Sequence, residues 1–372
     1  MNPWPSDLRT PNTSKKSSGS PLKKPNVRKI FEFKFVSASD ITRIVSNLKN
    51  TKALGVDNIA TEVWKKGIIT LAGPIARLCN MSMASGVVPD LFKEAIVHPV
   101  FKGHKKNPRD PSSYRPVSIL PAISKVLEIA VHEALLSWFN LIEFLPESQY
   151  GFLPRRSTTM ALTVAQKDWI DAKSHKELVG VMAFDLSSAF DTLSHSTLLG
   201  KLEHAGITGV PLKWFKSYLS NRSQSVLWNS VLSKPASLDR GVPQGSILCP
   251  LLFLAMIHDM PKYLISDSLM SSSRVVGYAD DTTVYAKSKS LEQLKARLQI
   301  GANNMVMYCN DNGLILNSQK TQILTTAKEK IEIKINQDIV SSAQSISLLG
   351  LEYDSNFSTA PYLKQLAREV NT

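Results

Sequence analysis

Val275-Val276-Gly277-Tyr278-Ala279-Asp280-Asp281-Thr282-Thr283-Val284-Tyr285 is the stretch on which the reading of this chain turns. Two short apolar strands meet at adjacent aspartates. An isolated Asp-Asp pair is by default an exposed polar turn, because its carboxylates bond nearby backbone amides. Apolar strands on both sides change that default and set at least one carboxylate at the rim of a sheet. A second carboxylate stands in the same setting: Leu178-Val179-Gly180-Val181-Met182-Ala183-Phe184-Asp185 reads as a buried strand that ends in Asp. Side by side, such strand ends crowd two or three carboxylates, and like charges at that range do not all stay ionised unless something neutralises them. A pair of Mg2+ ions, with Mn2+ as a substitute, meets that need, since hard divalent cations take carboxylate oxygens together with substrate phosphates. Two metals about 3.5–4 Å apart suit in-line phosphoryl transfer.

Outward from these strands, the pattern alternates between periods of two and of 3.6 residues. Strand signals lie at Ala95 to Phe101, Leu178 to Phe184, Ser225 to Leu227, Val275 to Tyr278, Thr282 to Ala286, Leu314 to Leu316, Thr321 to Thr325 and Ser347 to Leu351. Helices are expected after Ser39-Asp40, where Ile41, Ile44, Val45 and Leu48 share a face, over 122–139, and over 290–311 with Ser290 as cap and Gly313 just past the end. Such mixing implies α+β layers, one sheet backed by helices. No internal repeat is visible.

Composition narrows the classes. The chain has 372 residues, 43% of them hydrophobic, which is enough to build a core. Its 44 Lys+Arg against 31 Asp+Glu give a formal net charge of +13, and its 3 cysteines are far apart, offering neither a disulfide framework nor zinc-ligand spacing. The longest apolar run, Ile247 to Ile257, contains Pro250 and falls well short of the roughly 20 residues that cross a bilayer. The first residues lack the apolar stretch of a secretory signal, so an intracellular protein with no membrane partner is expected. Residues 1–36 read as a flexible basic tail rich in Ser, Pro and Lys, either a solubilising leader or an arm that touches nucleic acid.

The order of the motifs carries a resemblance. Phe184-Asp185-Leu186-Ser187-Ser188-Ala189-Phe190-Asp191, then Gly241-Val242-Pro243-Gln244-Gly245-Ser246, then Tyr278-Ala279-Asp280-Asp281 resembles the palm of a reverse transcriptase of the non-LTR retrotransposon (LINE-type) branch. Tyr114-Arg115-Pro116, Gln149-Tyr150-Gly151-Phe152 with Arg155-Arg156-Ser157-Thr158-Thr159, Asn317-Ser318-Gln319-Lys320-Thr321 and Leu349-Gly350-Leu351 fall in the same family order, and Lys52 to Ile59 resembles the segment this branch carries upstream of its fingers. Each tetrapeptide alone is weak; their common order from about residue 38 to 354 is the signal.

What the resemblance implies can be written residue by residue. Asp185, Asp280 and Asp281 would be the metal triad, with the Leu186 carbonyl as a further metal ligand. Phe190 would be the gate under the sugar C2′ that excludes a 2′-hydroxyl, against the alternative of ordinary core packing. Gln244 and Gly245 would support the incoming nucleotide and template, where glycine allows close backbone approach. Arg115 would grip the triphosphate through its planar fork, with Lys102 as companion, although Lys105 and Lys106 stand beside it and a solvated charge run is the other reading. Lys320 would protonate the leaving pyrophosphate or be a surface lysine of a hairpin. Asp191 and His195 would make structural hydrogen bonds; Gln149, Arg155 and Arg156 would contact template or fingers.

The implied fold is α+β, the polymerase right hand: a palm with an antiparallel sheet backed by helices plus mainly helical fingers, the thumb largely missing. The expected organisation is a disordered basic tail over 1–36, an N-terminal extension and fingers over 37–165, the palm over 166–354 and a stub of thumb over 355–372, as in a piece of a longer polyprotein. The implied partners are an RNA template, a DNA primer and dNTPs, with the nucleus as a place of action. The competing readings are a catalytically silent relic that only binds nucleic acid, and a palm-type nucleotide cyclase, which the fingers-like Arg115 and Gln149 to Phe152 segments disfavour.

Overall fold

The computed structural model describes residues 30–51, 53–103, 106–360 and 362–363. The basic tail up to residue 29, Lys52 of the upstream motif, His104 and Lys105 of the lysine loop, and, from the expected thumb stub, Pro361 and residues 364–372 lie outside the described residues.

In chain order the helices are α1 (Ala38–Asn47), α2 (Thr61–Ser85), α3 (Ala122–Leu141), α4 (Thr158–Ser174), α5 (His195–His204), α6 (Gly209–Leu219), α7 (Cys249–Met256), α8 (Met260–Leu264) and α9 (Leu291–Asn312). The strands are β1 (Glu94–Phe101), β2 (Tyr114–Ile119), β3 (Leu178–Leu186), β4 (Arg222–Trp228), β5 (Val231–Leu232), β6 (Ala236–Leu238), β7 (Ser273–Tyr278), β8 (Asp281–Ser288), β9 (Leu316–Thr325), β10 (Glu332–Ile335), β11 (Asp338–Ser341), β12 (Ser345–Leu348) and β13 (Leu351–Asp354). The chain divides into two compact units. One holds the described residues up to Leu127 together with Leu202–Leu238 and Gln244–Ser246; the other holds Glu128–Lys201, Asp239–Pro243 and the described residues from Ile247 onward.

In the first unit α1 starts at a capping box: the Ser37 side chain accepts from the Asp40 N–H and the Asp40 carboxylate accepts from the Ser37 N–H. The cap is therefore Ser37 rather than Ser39, because only Ser37 has the extended backbone that lets its hydroxyl reach back into the first turn. The sheet runs β2-β1-β4-β5, with β6 also on β4, and β1 lies antiparallel to β2 and parallel to β4. Its core gathers Phe33, Trp214, Phe215 and Tyr218, with the Trp214 and Tyr218 rings stacked at 5.5 Å and the Trp214 indole N–H donated to the Ser82 hydroxyl at 3.0 Å.

The second unit is built on a four-stranded antiparallel sheet in the order β7-β8-β3-β9. Successive residues of β3 point to opposite faces. Val179 and Val181 join Ala161, Leu162, Ala165 and Trp169 of α4 in one core, while Gly180 and Met182 meet Leu298 and Gly301 of α9 on the other side. Both faces of β3 are covered, which is why its sequence is a continuous apolar run rather than an alternating one. Helix α9 keeps the expected boundaries: the Ser290 hydroxyl accepts from the Gln293 N–H, and Gly313 closes the helix at φ 68°. The two separate strand signals at 314–316 and 321–325 are one strand, β9, and the signal at 347–351 resolves into the β12–β13 hairpin turning at Leu349-Gly350.

Candidate active site

The β7–β8 hairpin closes in two residues: Tyr278 pairs with Asp281, and Ala279-Asp280 form the turn. Along the other edge of β8, Thr282 pairs with Phe184 of β3, so Asp281 follows directly on the register that carries Asp185. Three carboxylates therefore share the end of one sheet. The Asp281 carboxyl registers this: burial first, then the charges of Asp280 and Asp185, push it up to about 6. Although Asp281 is exposed at the rim, its acid group has lost enough water, and faces enough negative charge, to resist ionisation.

Lys320 arrives through an irregularity in the pairing of β3 and β9. Ala183 pairs with Gln322 but Asp185 pairs with Asn317, so β9 bulges over Ser318 to Thr321. Asn317 holds the bulge, its side-chain oxygen accepting from the Lys320 N–H at 3.1 Å and its carbonyl from the Thr321 hydroxyl at 2.8 Å. The Lys320 ammonium then lies 3.4 Å from an Asp185 oxygen, a half-exposed pair. Leu186 ends β3 buried, paired with Leu316. Phe190 follows in the turn beyond, its ring 4.7 Å from Phe253 and 6.1 Å, edge to face, from the half-exposed Phe152. The turn is laced to the loop that leads to Gln244: the Val242 N–H donates to the Phe190 carbonyl at 2.9 Å, the Gly241 N–H to the Leu193 carbonyl at 2.8 Å, and the His195 ring nitrogen sits 2.7 Å from the Gly241 carbonyl.

The remaining expected residues belong to the other unit. Arg115 is exposed on β2, opposite Val100 of β1. Lys102 is exposed just past β1, its backbone N–H on the Ser113 carbonyl and its ammonium on the Ser112 carbonyl at 2.8 Å. Gln244 and Gly245 rest on the same strand as Arg115: the Ser118 N–H donates to the Gln244 carbonyl at 2.6 Å, and a Cβ on Gly245, which has φ +118°, would lie 2.4 Å from the Ser118 oxygen. Only glycine fits there. The structure thus brings Asp185, Leu186, Phe190, Asp280, Asp281 and Lys320 together in one unit, and Arg115, Lys102, Gln244 and Gly245 in the other.

Two features were not legible in the motifs. A polar cavity of about 240 Å³ opens beside Asp281, lined by Ala183, Phe184 and Thr283 of the sheet and by Ser347 to Gly350 of the β12–β13 hairpin. Gln149 and Arg156, read as template or fingers contacts, have their polar groups turned inward: Gln149 is 4% exposed and bonded to the Ala279 backbone, and the Arg156 guanidinium donates to the Glu147 carbonyl at 2.6 Å and to the Gln149 carbonyl. The Gln149 signal lies in pairing across 130 residues of sequence, which no local pattern contains, whereas the Arg156 bonds are local.

As they stand, no three His, Cys, Asp or Glu side chains among the described residues converge closely enough to hold a metal ion. The fit to divalent cations rests instead on the donor set, three carboxylates at one rim, where burial first and then the charges of Asp280 and Asp185 raise the Asp281 pKa. Hard carboxylate oxygens gathered at one rim are what Mg2+ and Mn2+ take.

An antiparallel sheet with carboxylates at its rim and helices on both faces is the palm of a right-hand polymerase. A family model described as reverse transcriptase (RNA-dependent DNA polymerase) matches residues 104–353, and the chain belongs to that family, in its non-LTR retrotransposon branch. Among its relatives, the probable RNA-directed DNA polymerase from transposon BS of Drosophila melanogaster is 27% identical over 344 residues, covering 90% of this chain and 37% of that protein. The RNA-directed DNA polymerase from mobile element jockey of the same organism is 25% identical over 341 residues, covering 91% and 37%. The chain therefore spans little more than a third of the length of these relatives. The solved structure of apo telomerase from Candida tropicalis shares the fold at a TM-score of 0.51 and 10% identity, over 85% of this chain and 56% of that one. Among the described residues no helix is long and apolar enough to cross a membrane.

Proposed function

We propose that this chain is the fingers and palm of an RNA-directed DNA polymerase that extends a DNA primer on an RNA template. The observation that carries the reading is the register of β3 against β8, which sets Asp185 beside Asp281 and Asp280 within a family-matched sequence. The primer 3′-oxygen forms a bond to the α-phosphorus of a dNTP as the 3′-hydroxyl proton passes to solvent water, the bond from that phosphorus to the bridging oxygen breaks, and pyrophosphate leaves. Asp185, Asp280, Asp281 and the Leu186 carbonyl would hold two divalent ions, Mg2+ or Mn2+, which when bound supply Lewis acidity toward the attacking oxygen and the leaving phosphates. Lys320, already beside Asp185, gives a proton to the departing pyrophosphate. Arg115, with Lys102, grips the triphosphate oxygens. Gln244 and Gly245 back the nucleotide and template, and Phe190 occupies the space a ribose 2′-hydroxyl would need. The cavity beside Asp281 is the place for the primer end, with that carboxylate as the one charged side chain among hydroxyls, apolar side chains and backbone.

In this reading, residues 37–165 are the N-terminal extension and fingers, 166–354 the palm, 355–372 the stub of a thumb, and 1–29 a basic tail; residues 30–36, expected in the disordered tail, are packed instead, with Phe31 buried and the Phe33 ring 5.8 Å from Trp214. The site of action is inside the cell, in the nucleus. The test is primer extension on an RNA template with purified chain and Mg2+ or Mn2+, beside Asp280→Asn. Extension by the native chain and a loss of about 10³-fold or more in the variant are expected, the scale on which a removed charge-stabilising group acts. Equal inactivity of the two, with both still binding template-primer, would leave the silent nucleic-acid binder as the better reading.

A further inference from the structure

We propose that Gln149 is a positioning residue whose amide clamps the Ala279-Asp280 turn in the conformation that presents both aspartates to Asp185. The geometry stands on its own; its catalytic consequence rests on the polymerase reading above. Ala279 has φ +58°, whereas Asp280 is not among the residues at positive φ. A two-residue hairpin with positive φ at its first central position is the type II′ pattern, in which glycine is usual. Here the position carries a Cβ and is 7% exposed, so something else must hold the turn.

Residues 148–151 supply the hold. They lie along the free edge of β7, where the Gly277 N–H donates to the Ser148 carbonyl at 2.8 Å and the Tyr150 N–H to the Gly277 carbonyl at 2.7 Å. From this strap the Gln149 side-chain oxygen accepts from the Ala279 N–H at 3.0 Å and from the Gly151 N–H at 2.7 Å, and its NH2 lies 3.4 Å from the Ala279 carbonyl. A Cβ on Gly151 would sit 2.1 Å from the Ala279 nitrogen, so the backbones touch with no room for a side chain. Arg156 fastens the strap from behind through the Glu147 and Gln149 carbonyls, with its guanidinium 5.5 Å over the Tyr150 ring. Turning the Gln149 amide outward to meet a template would strand the Ala279 N–H, and a buried donor without an acceptor is costly. The amide is therefore spent on the turn.

The experiment uses the full chain with Gln149→Met, Gln149→Glu, Gly151→Ala, and Gln149→Met combined with Ala279→Gly. Hydrogen exchange of the 275–285 peptide reads the turn directly, Mn2+ alone titrated by electron paramagnetic resonance reads the carboxylates, and primer extension gives kcat and KM. Gln149→Met is expected to speed exchange about 10-fold and to weaken Mn2+ binding about 10–100-fold, the range for residues that orient metal ligands, with kcat reduced and dNTP KM nearly unchanged. Gln149→Glu, which keeps the accepting oxygen, should stay closer to the native chain. Ala279→Gly should bring the Met variant back to within roughly 3-fold, because glycine takes positive φ without the clamp. A Gln149→Met chain that keeps native exchange and native Mn2+ affinity overturns the proposal; where that variant does not fold by circular dichroism, native behaviour of Gly151→Ala does so. Faster exchange in a protein whose native form neither binds Mn2+ nor extends primers upholds the clamp and refutes the polymerase reading.

Discussion

Asp281 is where the charge of the site is furthest out of balance, and that imbalance has a sign. Its carboxyl titrates near 6 in the folded chain, from burial and then from Asp280 and Asp185, against 3.8 for the free group. The folded state thus binds more protons than the unfolded state between those values. The contribution of Asp281 to stability is full below about pH 4 and is lost as pH rises through 6. Asp281→Asn removes the dependence, so the variant should gain on the native chain as pH rises. With solvent screening at this exposed rim the gain is about 1 kcal/mol, or roughly 1–2 °C in a chain of this size. Melting of both proteins without divalent ions at pH 4.5 and 7.5 measures it; an offset that does not change with pH would contradict it. Phe190 carries a second prediction at this scale. If its ring fills the space of a 2′-hydroxyl, Phe190→Ala should raise rNTP relative to dNTP incorporation by about 10–200-fold. Unchanged selectivity in an active variant would make it ordinary packing against Phe253 and Phe152.

At the scale of elements, what holds α5, α8 and α9 together is one buried ionic knot. The Lys201 ammonium donates to the Asp259 carboxylate at 2.7 Å, the Met256 carbonyl at 2.6 Å and the Tyr308 hydroxyl at 3.0 Å, and the Tyr308 hydroxyl lies 2.6 Å from the same carboxylate. Burial pushes the Asp259 acid up, but the charges of Lys201 and His258 and the hydrogen bonds from Lys201 and Tyr308 outweigh it and hold the carboxyl below its ordinary value. Lys201→Ala leaves that carboxylate buried and unpaired, which should cost about 3–5 kcal/mol in urea unfolding, while Lys201→Met with Asp259→Leu should cost much less. Equal losses in the two variants would show that packing rather than charge is at stake. Elements with closed local grammar could be read from the chain itself: α9 between Ser290 and Gly313, and β3, β7 and β8 from their apolar runs. Helix α2 could not, because Pro74 interrupts it and Val63, Ile69 and Met81 stay exposed, which blurs the apolar stripe. Strand β9 looked like two strands because the polar bulge that delivers Lys320 sits in its middle. The carboxylates and Phe190 were legible because each closes a local pattern. Gln149 and the cavity were not, since both exist only through long-range pairing.

At the scale of the whole chain the question is what the net charge of +13 does. Residues 1–29 hold Arg9, Lys15, Lys16, Lys23, Lys24, Arg28 and Lys29 against Asp7 alone, nearly half the excess, and they lie outside the described residues. In the proposed function the rest sets Arg115 and Lys102 against phosphates while the acids gather at Asp185, Asp280 and Asp281. These two populations of charge make different demands on salt. Each phosphate neutralised contributes about −0.7 to −0.9 to the slope of log affinity against log salt. A chain lacking residues 1–29 should therefore bind an RNA–DNA template-primer with a slope shallower by about 2–5, and more weakly at low salt, while kcat and dNTP KM at saturating template-primer stay as in the full chain. Arg115→Ala should do the reverse, raising dNTP KM with little effect on the slope. Fluorescence-anisotropy titrations between 50 and 300 mM salt, read beside primer extension, separate the two. An unchanged slope after the deletion would assign the tail to solubility alone, and would mean that the folded residues supply all the phosphate contacts on which the proposed polymerase depends.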